Sequence, residues 1–305
     1  MSDRTVNAPP SGALGSPLLS LRRVLLFAIF TLALLPVQAV LVSLGSKKAR
    51  DFPYWYHRQV CRLLGIEVRR RGQQSQEEPT LYVCNHVSYL DIPILGRCIR
   101  GSFIAKAEIA HWPFFSWLAK LQRSVFVERR SSRTADHRDQ IIRRLEQDDN
   151  LILFPEGTSS DGNSVLPFKS ALLSVAERRP HDRPLTVQPV SITYSHLDGL
   201  PLGRFLRPYF AWFGDMDMPD HAWRALGLGR LTVIVEFHEP VTLHEFGSRK
   251  ALTRHCQAAV EAGLMRALSG REPEDEAGKQ PDDGDDVTEE AAEEAAEDDG
   301  GVVAR

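Results

Sequence analysis

From Val24 to Ser46 the chain runs 23 residues without a charged side chain. A helix needs about 20 apolar residues to cross a bilayer core of roughly 30 Å, so this run is long enough to span. Pro36 and Gln38 interrupt it, and a helix that kinks and dips into one leaflet is the alternative. Arg22-Arg23 stand before it, and Lys47, Lys48 and Arg50 after it. That excess on the carboxyl side favours a body facing the cytoplasm. A cleaved signal peptide ending at Val37-Gln38-Ala39 is a third reading. The long region before Arg22 and the lack of a disulfide pattern argue against it. In Asp51 to Leu64, Phe52, Trp55, Tyr56, Val60, Leu63 and Leu64 recur at helical spacing among His57, Arg58 and Arg62. Either an amphipathic helix in the headgroup layer or a core helix fits that spacing.

Beyond Leu64 the pattern alternates. Short apolar runs predict strands at 66–68, 80–84, 102–105, 125–127, 151–154, 185–194 and 231–237. Helical spacing predicts helices at 134–147, 168–179 and 249–268. Such alternation implies an α/β fold: a mostly parallel central sheet flanked by helices, behind an N-terminal membrane-associated helical segment. The expected organisation is a disordered Ser/Pro/Gly-rich 1–20, a membrane-anchoring helical segment 21–65, an α/β domain 66–270, and a disordered acidic tail 271–305.

Composition adds three exclusions. With 43% hydrophobic and 25% charged residues, the 305-residue chain is neither collagen-like, a coiled coil nor wholly disordered. Its net charge of −3 conceals a tail of −12, with 15 Asp+Glu against 3 Lys+Arg, and a body of +9. A basic body suits anionic partners such as phosphates or lipid headgroups. Cys61, Cys84, Cys98 and Cys256 are scattered and form neither a disulfide framework nor a zinc pattern, so no metal is expected and a reducing compartment is the default.

Three predicted strands run into chemically rich turns: Asn85 to Asp91, Glu128-Arg129-Arg130, and Pro155 to Gly162. Ligands of open α/β sheets bind outside the carboxyl ends of strands. If these strands are parallel neighbours, the loops meet in one crevice. With a helix starting near Ser88, Asp91 can point back at His86, fix its tautomer and leave the other ring nitrogen to take a proton. Ser88-x-x-Asp91 equally fits a capping box. Glu156-Gly157-Thr158 is either a ligand-contacting turn or an ordinary strand-to-helix turn. Arg129 can pair with a phosphate or form a surface salt bridge. Trp112 to Leu118 is unusually aromatic, consistent with an acyl channel, a membrane contact or plain core packing.

Together, Asn85-His86-x-x-x-x-Asp91, Val125-Phe126-Val127-x-Arg129, Phe154-Pro155-Glu156-Gly157-Thr158 and Val187-Gln188-Pro189-Val190 resemble the four ordered motifs of the glycerolipid acyltransferase family, which includes 1-acylglycerol-3-phosphate acyltransferases. The resemblance implies that His86 is the general base on an acceptor hydroxyl and that Asp91 orients it. It makes Lys106, in Ala105-Lys106-Ala107-Glu108, a candidate catalytic cation, with a surface lysine as the alternative. It places Asn85, Glu156, Gly157 and Thr158 on the acceptor, and Arg129 on its phosphate. No cofactor is implied; acyl-CoA or acyl-carrier protein serves as donor substrate. A lysolipid acceptor, an anionic membrane surface and the inner membrane, with the catalytic domain in the cytoplasm, complete the expectation. The acceptor is taken as 1-acyl-sn-glycerol-3-phosphate. One departure matters: the family's third motif usually continues with Arg, whereas Ser159-Ser160-Asp161 follows here. That variant resembles the lyso-ornithine lipid acyltransferase branch, the alternative acceptor class.

Two other classes are weighed. A lipid esterase needs a G-x-S-x-G elbow, and 157–162 has the wrong spacing. A non-catalytic lipid or nucleic-acid binder rests only on the basic body; no nucleic-acid motif is present, and nucleic acid is not an expected partner.

Overall fold

The computed structural model describes residues 14–106, 115–127 and 134–270. Three strands are buried at every position: β2 (Thr80–Cys84), β5 (Asn150–Leu153) and β8 (Leu231–Phe237). Continuous burial marks a sheet covered on both faces. Successive side chains of β2 confirm this. Leu81 and Val83 enter one apolar cluster with Leu151, Leu153 and Val187, whereas Tyr82 and Cys84 enter another with Ile152, Val190 and Ile192. The first cluster is closed by α5 (Thr134–Leu145) and α8 (Arg249–Ser269), the second by α2 (Lys48–Leu64) and α3 (Asp91–Gly96).

The remaining strands are β1 (Ile66–Arg71), β3 (Gly101–Lys106), β4 (Val125–Val127), β6 (Thr186–Leu197), β7 (Leu200–Pro201) and β9 (Val241–Thr242). Among the described residues the main order is β1-β8-β6-β2-β5-β3-β4, with β7 and β9 pairing β6. β6, β2, β5, β3 and β4 are parallel in succession, and β8 is antiparallel to β6. The three loop-bearing strands, β2, β5 and β4, therefore end on the same rim, with β3 inserted between β5 and β4. β6 outruns its neighbour: its Val190 pairs with Cys84, the end of β2, and it continues to Leu197.

Two expectations are corrected. The helix predicted at 168–179 is only a 3₁₀ turn, Leu172–Glu177. The amides at its start are used elsewhere: Phe168 N donates to Gln257 Oε1 at 3.0 Å, and Lys169 N to Pro155 O at 2.9 Å. The amides that follow bond three residues back, Leu172 N to Lys169 O, Leu173 N to Ser170 O and Ser174 N to Ala171 O, which is the 3₁₀ pattern. At the other end of the chain, α1 (Pro17–Ser43) begins seven residues before Val24 and runs through Pro36.

α1 is inside out. Its buried residues are Ser20, Arg23, Thr31 and Gln38. Leu18, Leu21, Leu25, Leu26, Ile29, Leu32, Val37 and Val40 are exposed. Ser20 Oγ donates to Trp223 O at 2.7 Å, in α6 (Met218–Leu226). Arg23, expected to flank the apolar run, instead donates to the carbonyls of Leu226, Leu228 and Gly229 at 3.0, 2.6 and 3.1 Å. Thr31 bonds Tyr56 of α2 at 2.7 Å. Gln38 Nε2 donates to Ala49 O and, in α4 (Phe115–Leu121), to Leu121 O at 3.1 and 2.9 Å. The pairs Thr31–Tyr56 and Gln38–Ala49 run in opposite directions along the two helices, so α1 and α2 form an antiparallel hairpin.

Candidate active site

The dyad forms where β2 gives way to α3. His86 Nδ1 lies 2.8 Å from Asp91 Oδ2. The helix starts at Asp91 itself, three residues later than expected, so the carboxylate stands at the first turn and reaches back over the loop. The same oxygen accepts from Val87 N at 2.7 Å and Ser88 N at 3.0 Å. The helix-capping and catalytic readings therefore coexist in one carboxylate. The reciprocal capping box is not formed: Asp91 N bonds the Ser88 carbonyl, at 3.0 Å. Asp91 is fully buried, whereas the His86 side chain keeps 21% exposure. With Nδ1–H donated to Asp91, Nε2 carries the lone pair.

Two further contacts fix the imidazole. It stacks on Phe154, centroids 4.2 Å apart at 19°, and Phe154 stacks in turn on Phe103 of β3 at 6.2 Å. From the overrun of β6, Tyr194 OH donates to Asp91 Oδ1 at 2.8 Å. Burial, then the Asp91 charge, raises the Tyr194 pKa well above its usual value, so it remains a donor. Sequence reasoning missed Tyr194. Its only signal was membership of a long apolar strand, and the register that brings it over α3 is not local information.

The glutamate–glycine turn lies against the dyad. Glu156 Oε1 accepts the His86 N–H at 3.2 Å, and Ser160 N donates to His86 O at 2.8 Å. Glu156 is 1% exposed. Burial raises its pKa to about 8; the His86 amide opposes this, the Asp91 charge adds to it, and the Leu166 amide opposes it again. Gly157 takes φ +69, a left-handed conformation that a side chain would strain, and its amide bonds Phe154 O at 3.1 Å. Thr158 is exposed.

Asn85 is corrected from acceptor contact to strut. It is 1% exposed; its amide donates to Ile192 O at 3.0 Å and its oxygen accepts from Ile192 N at 2.8 Å, lashing the loop to β6. Lys106 ends β3 on this rim, paired with Val127, and its side chain is outside the described residues. Arg129 lies outside the described residues, two positions beyond β4. Where the family pattern has an arginine, Ser159 Oγ instead donates to Trp212 O. Arg207, 6% exposed, supports the same loop from behind, donating to Asn163 Oδ1, Tyr194 O and Leu202 O. Those bonds hold its guanidinium inward. A cavity of about 400 Å³ lined by Glu77, Asp148, His181 and Thr186 lies at the amino ends of β2 and β6, on the opposite rim.

An imidazole held by a buried carboxylate thus stands at the carboxyl rim of a parallel sheet, beside a glycine turn in a left-handed conformation. The chain belongs to the acyltransferase family, whose model, described as Acyltransferase, matches residues 65–193. It is 42% identical over 246 residues to the lyso-ornithine lipid O-acyltransferase of Brucella abortus, covering 79% of this chain and 92% of that protein. With the 1-acyl-sn-glycerol-3-phosphate acyltransferase of Neisseria meningitidis it shares 32% identity over 202 residues, 65% of this chain and 74% of that one. The crystal structure of the 1-acyl-sn-glycerophosphate acyltransferase from Thermotoga maritima superposes with a TM-score of 0.58 at 25% identity, covering 84% of this chain and 97% of that one. The chain is an O-acyltransferase.

Proposed function

We propose that this enzyme moves a fatty acyl group from an acyl thioester, acyl-CoA or acyl-carrier protein, to the free hydroxyl of a lysolipid. The single observation that carries the mechanism is the 2.8 Å His86–Asp91 bond, which with Nδ1–H on Asp91 leaves the Nε2 lone pair on a side chain that keeps 21% exposure. Nε2 takes the hydroxyl proton as the oxygen attacks the thioester carbonyl. The C–S bond then breaks, and the departing thiolate, of pKa ~8.5 in its parent thiol, needs no strong acid. Asp91 stabilises the transient imidazolium. Glu156, Gly157 and Thr158 border the acceptor's place; Lys106 and Arg129 supply cations to its oxyanion and phosphate.

The acceptor has two readings. 1-Acyl-sn-glycerol-3-phosphate is supported by the Neisseria and Thermotoga relatives and by the presence of Arg129. Lyso-ornithine lipid, which has no phosphate, is favoured by a specific observation: Ser159 occupies the arginine position and is bonded to Trp212 O. The 92% coverage of the Brucella relative supports it too.

The exposed apolar face of α1 supports a membrane-associated enzyme. Bonds to the body extend from Ser20 to Gln38, so the helix lies along the domain. That favours seating in one leaflet over crossing it, with the body on the cytoplasmic side of the inner membrane.

The esterase alternative finds no support in a hydrolase-like grouping of serine, histidine and glutamate among the described residues. His238 Nε2 lies 3.2 Å from Ser191 Oγ, and its Nδ1 3.9 Å from Glu236 Oε1. Ser191 is 1% exposed and sealed by α8: a Cβ at Gly263 would sit 2.2 Å from Ser191 Oγ. Burial lowers the His238 pKa to about 4.

The test is one assay. Purified enzyme is offered each lysolipid with each thioester, and products are weighed. A diacyl product from at least one pair is expected, and the ratio of kcat/KM values names the acceptor. His86→Ala and Asp91→Asn should lower kcat by about 10²–10⁴ in folded protein. Fatty acid released to water, or an active folded His86→Ala enzyme, overturns the reading.

A further inference from the structure

Three guanidinium groups converge on one carboxylate beside the α1–α2 turn. Asp149, 7% exposed, receives Arg50 Nε at 3.2 Å, Arg123 at 2.8 Å and Arg144 at 3.1 Å. Two positive charges are left unmatched. Nearby acids do not compensate: Asp148 faces His181 at 3.1 Å, and Asp51 faces Arg100 at 3.6 Å. Glu146 is exposed, as are the basic Arg143, Lys47 and Lys48. Backbone bonds keep the arginines in place: Arg50 donates to Gln147 O at 2.8 Å, and Arg144 to Arg123 O at 3.1 Å. Burial, followed by the Arg144 charge, lowers the Arg123 pKa, so this group is uncomfortable as it stands.

Position says which anion would relieve it. Gln38 of α1 bonds Ala49 O, next to Arg50, and Leu121 O, two residues from Arg123. The cluster is thus tied to the carboxyl end of the outward-facing apolar helix. Leu44, 74% exposed, follows that end; Trp117, 62% exposed, lies in α4, whose Leu121 O takes the Gln38 bond; and Trp55, 44% exposed, lies against Phe30 further along α1. Apolar residues, tryptophans and then basic groups form the order in which a bilayer presents acyl chains, interface and headgroup phosphates.

We propose that Arg50, Arg123 and Arg144 form a binding site for the phosphate of an anionic phospholipid headgroup, distinct from the acceptor site. The inference rests on the reading that α1 lies in a leaflet. The site would hold the enzyme where anionic lipid is enriched and set the depth of the α1–α2 hairpin.

Flotation of the full-length enzyme with vesicles tests both layers. Phosphatidylcholine vesicles report the apolar face of α1; vesicles containing phosphatidylglycerol report the cluster. Wild type should bind both, and the anionic ones more tightly in a salt-sensitive way. Arg50→Gln should lower affinity for anionic vesicles about fivefold and leave neutral vesicles unchanged. Asp149→Asn, which uncovers a third positive charge, should raise it by a similar factor, with thermal melts confirming that both variants fold. A purely structural cluster would weaken binding, or leave it unchanged, in both. Equal wild-type affinity for the two vesicles overturns the inference alone; no binding to either removes the membrane reading and the inference with it. Unchanged vesicle binding with a raised KM for acyl-carrier protein in Arg50→Gln would assign the cluster to the donor's carrier and overturn the lipid assignment.

Discussion

Asp91 accepts four hydrogen bonds, from His86 Nδ1, Val87 N, Ser88 N and Tyr194 OH, with no exposure to solvent. Such a carboxylate cannot rotate, and this rigidity is what makes its bond to His86 directional. Removing one donor alters the balance. In Tyr194→Phe, Asp91 Oδ1 loses its donor, and the carboxylate that holds the imidazole is less firmly fixed. We expect kcat to fall about tenfold, the worth of one hydrogen bond to a charged group, with KM little changed; a lowered melting temperature with kcat unchanged would mean Tyr194 serves packing alone. The dyad was legible in the sequence because both partners sit five residues apart on one loop. Tyr194 and Asn85's partner Ile192 were not, since both depend on how far β6 slides past β2. The choice between cap and catalytic partner for Asp91 was undecidable locally for a simple reason: one oxygen does both.

Apolar runs marked the buried strands almost residue by residue, because full burial on both faces leaves few polar positions, Thr80, Asn150, Thr232 and Glu236. β2 and β8 agree with their sequence runs in full. The helix expected at 168–179 is tightened to a 3₁₀ turn, whose amides bond three residues back. α1 is the opposite case: its apolar run was plain, yet which side faced the body was hidden. Its buried polar residues dock it, with Phe27 and Phe30 packed beside them, and Arg23 makes the most hydrogen bonds. Arg23→Leu deprives three carbonyls of their donor and should destabilise the fold by about 2–3 kcal/mol. Leu25→Ala, half-exposed, should cost under about 0.5 kcal/mol. Thermal unfolding in detergent micelles separates the two, and equal effects would contradict the inside-out arrangement.

For the whole molecule, the buried Glu156 links stability to pH. Its folded pKa, about 8, lies above the ordinary 4.5. The folded state therefore holds a proton that the unfolded chain releases. The contribution is fully present below about pH 4.5 and is lost as pH rises towards 8. Across that window it amounts to about 5 kcal/mol. Glu156→Gln should flatten this slope and make the protein more stable than wild type at pH 9, as read by urea unfolding at pH 5 and pH 9. A wild-type curve without the slope would show that the carboxyl is ionised inside the fold.

The outward-facing leucines of α1 have a consequence for how the enzyme meets its substrates. On the proposed seating in one leaflet, the catalyst searches in two dimensions, and a lysolipid reaches it by lateral diffusion without first dissolving. Turnover then follows the crowding of acceptor within the surface rather than its amount per litre, so dilution of the suspension matters less than dilution of the film.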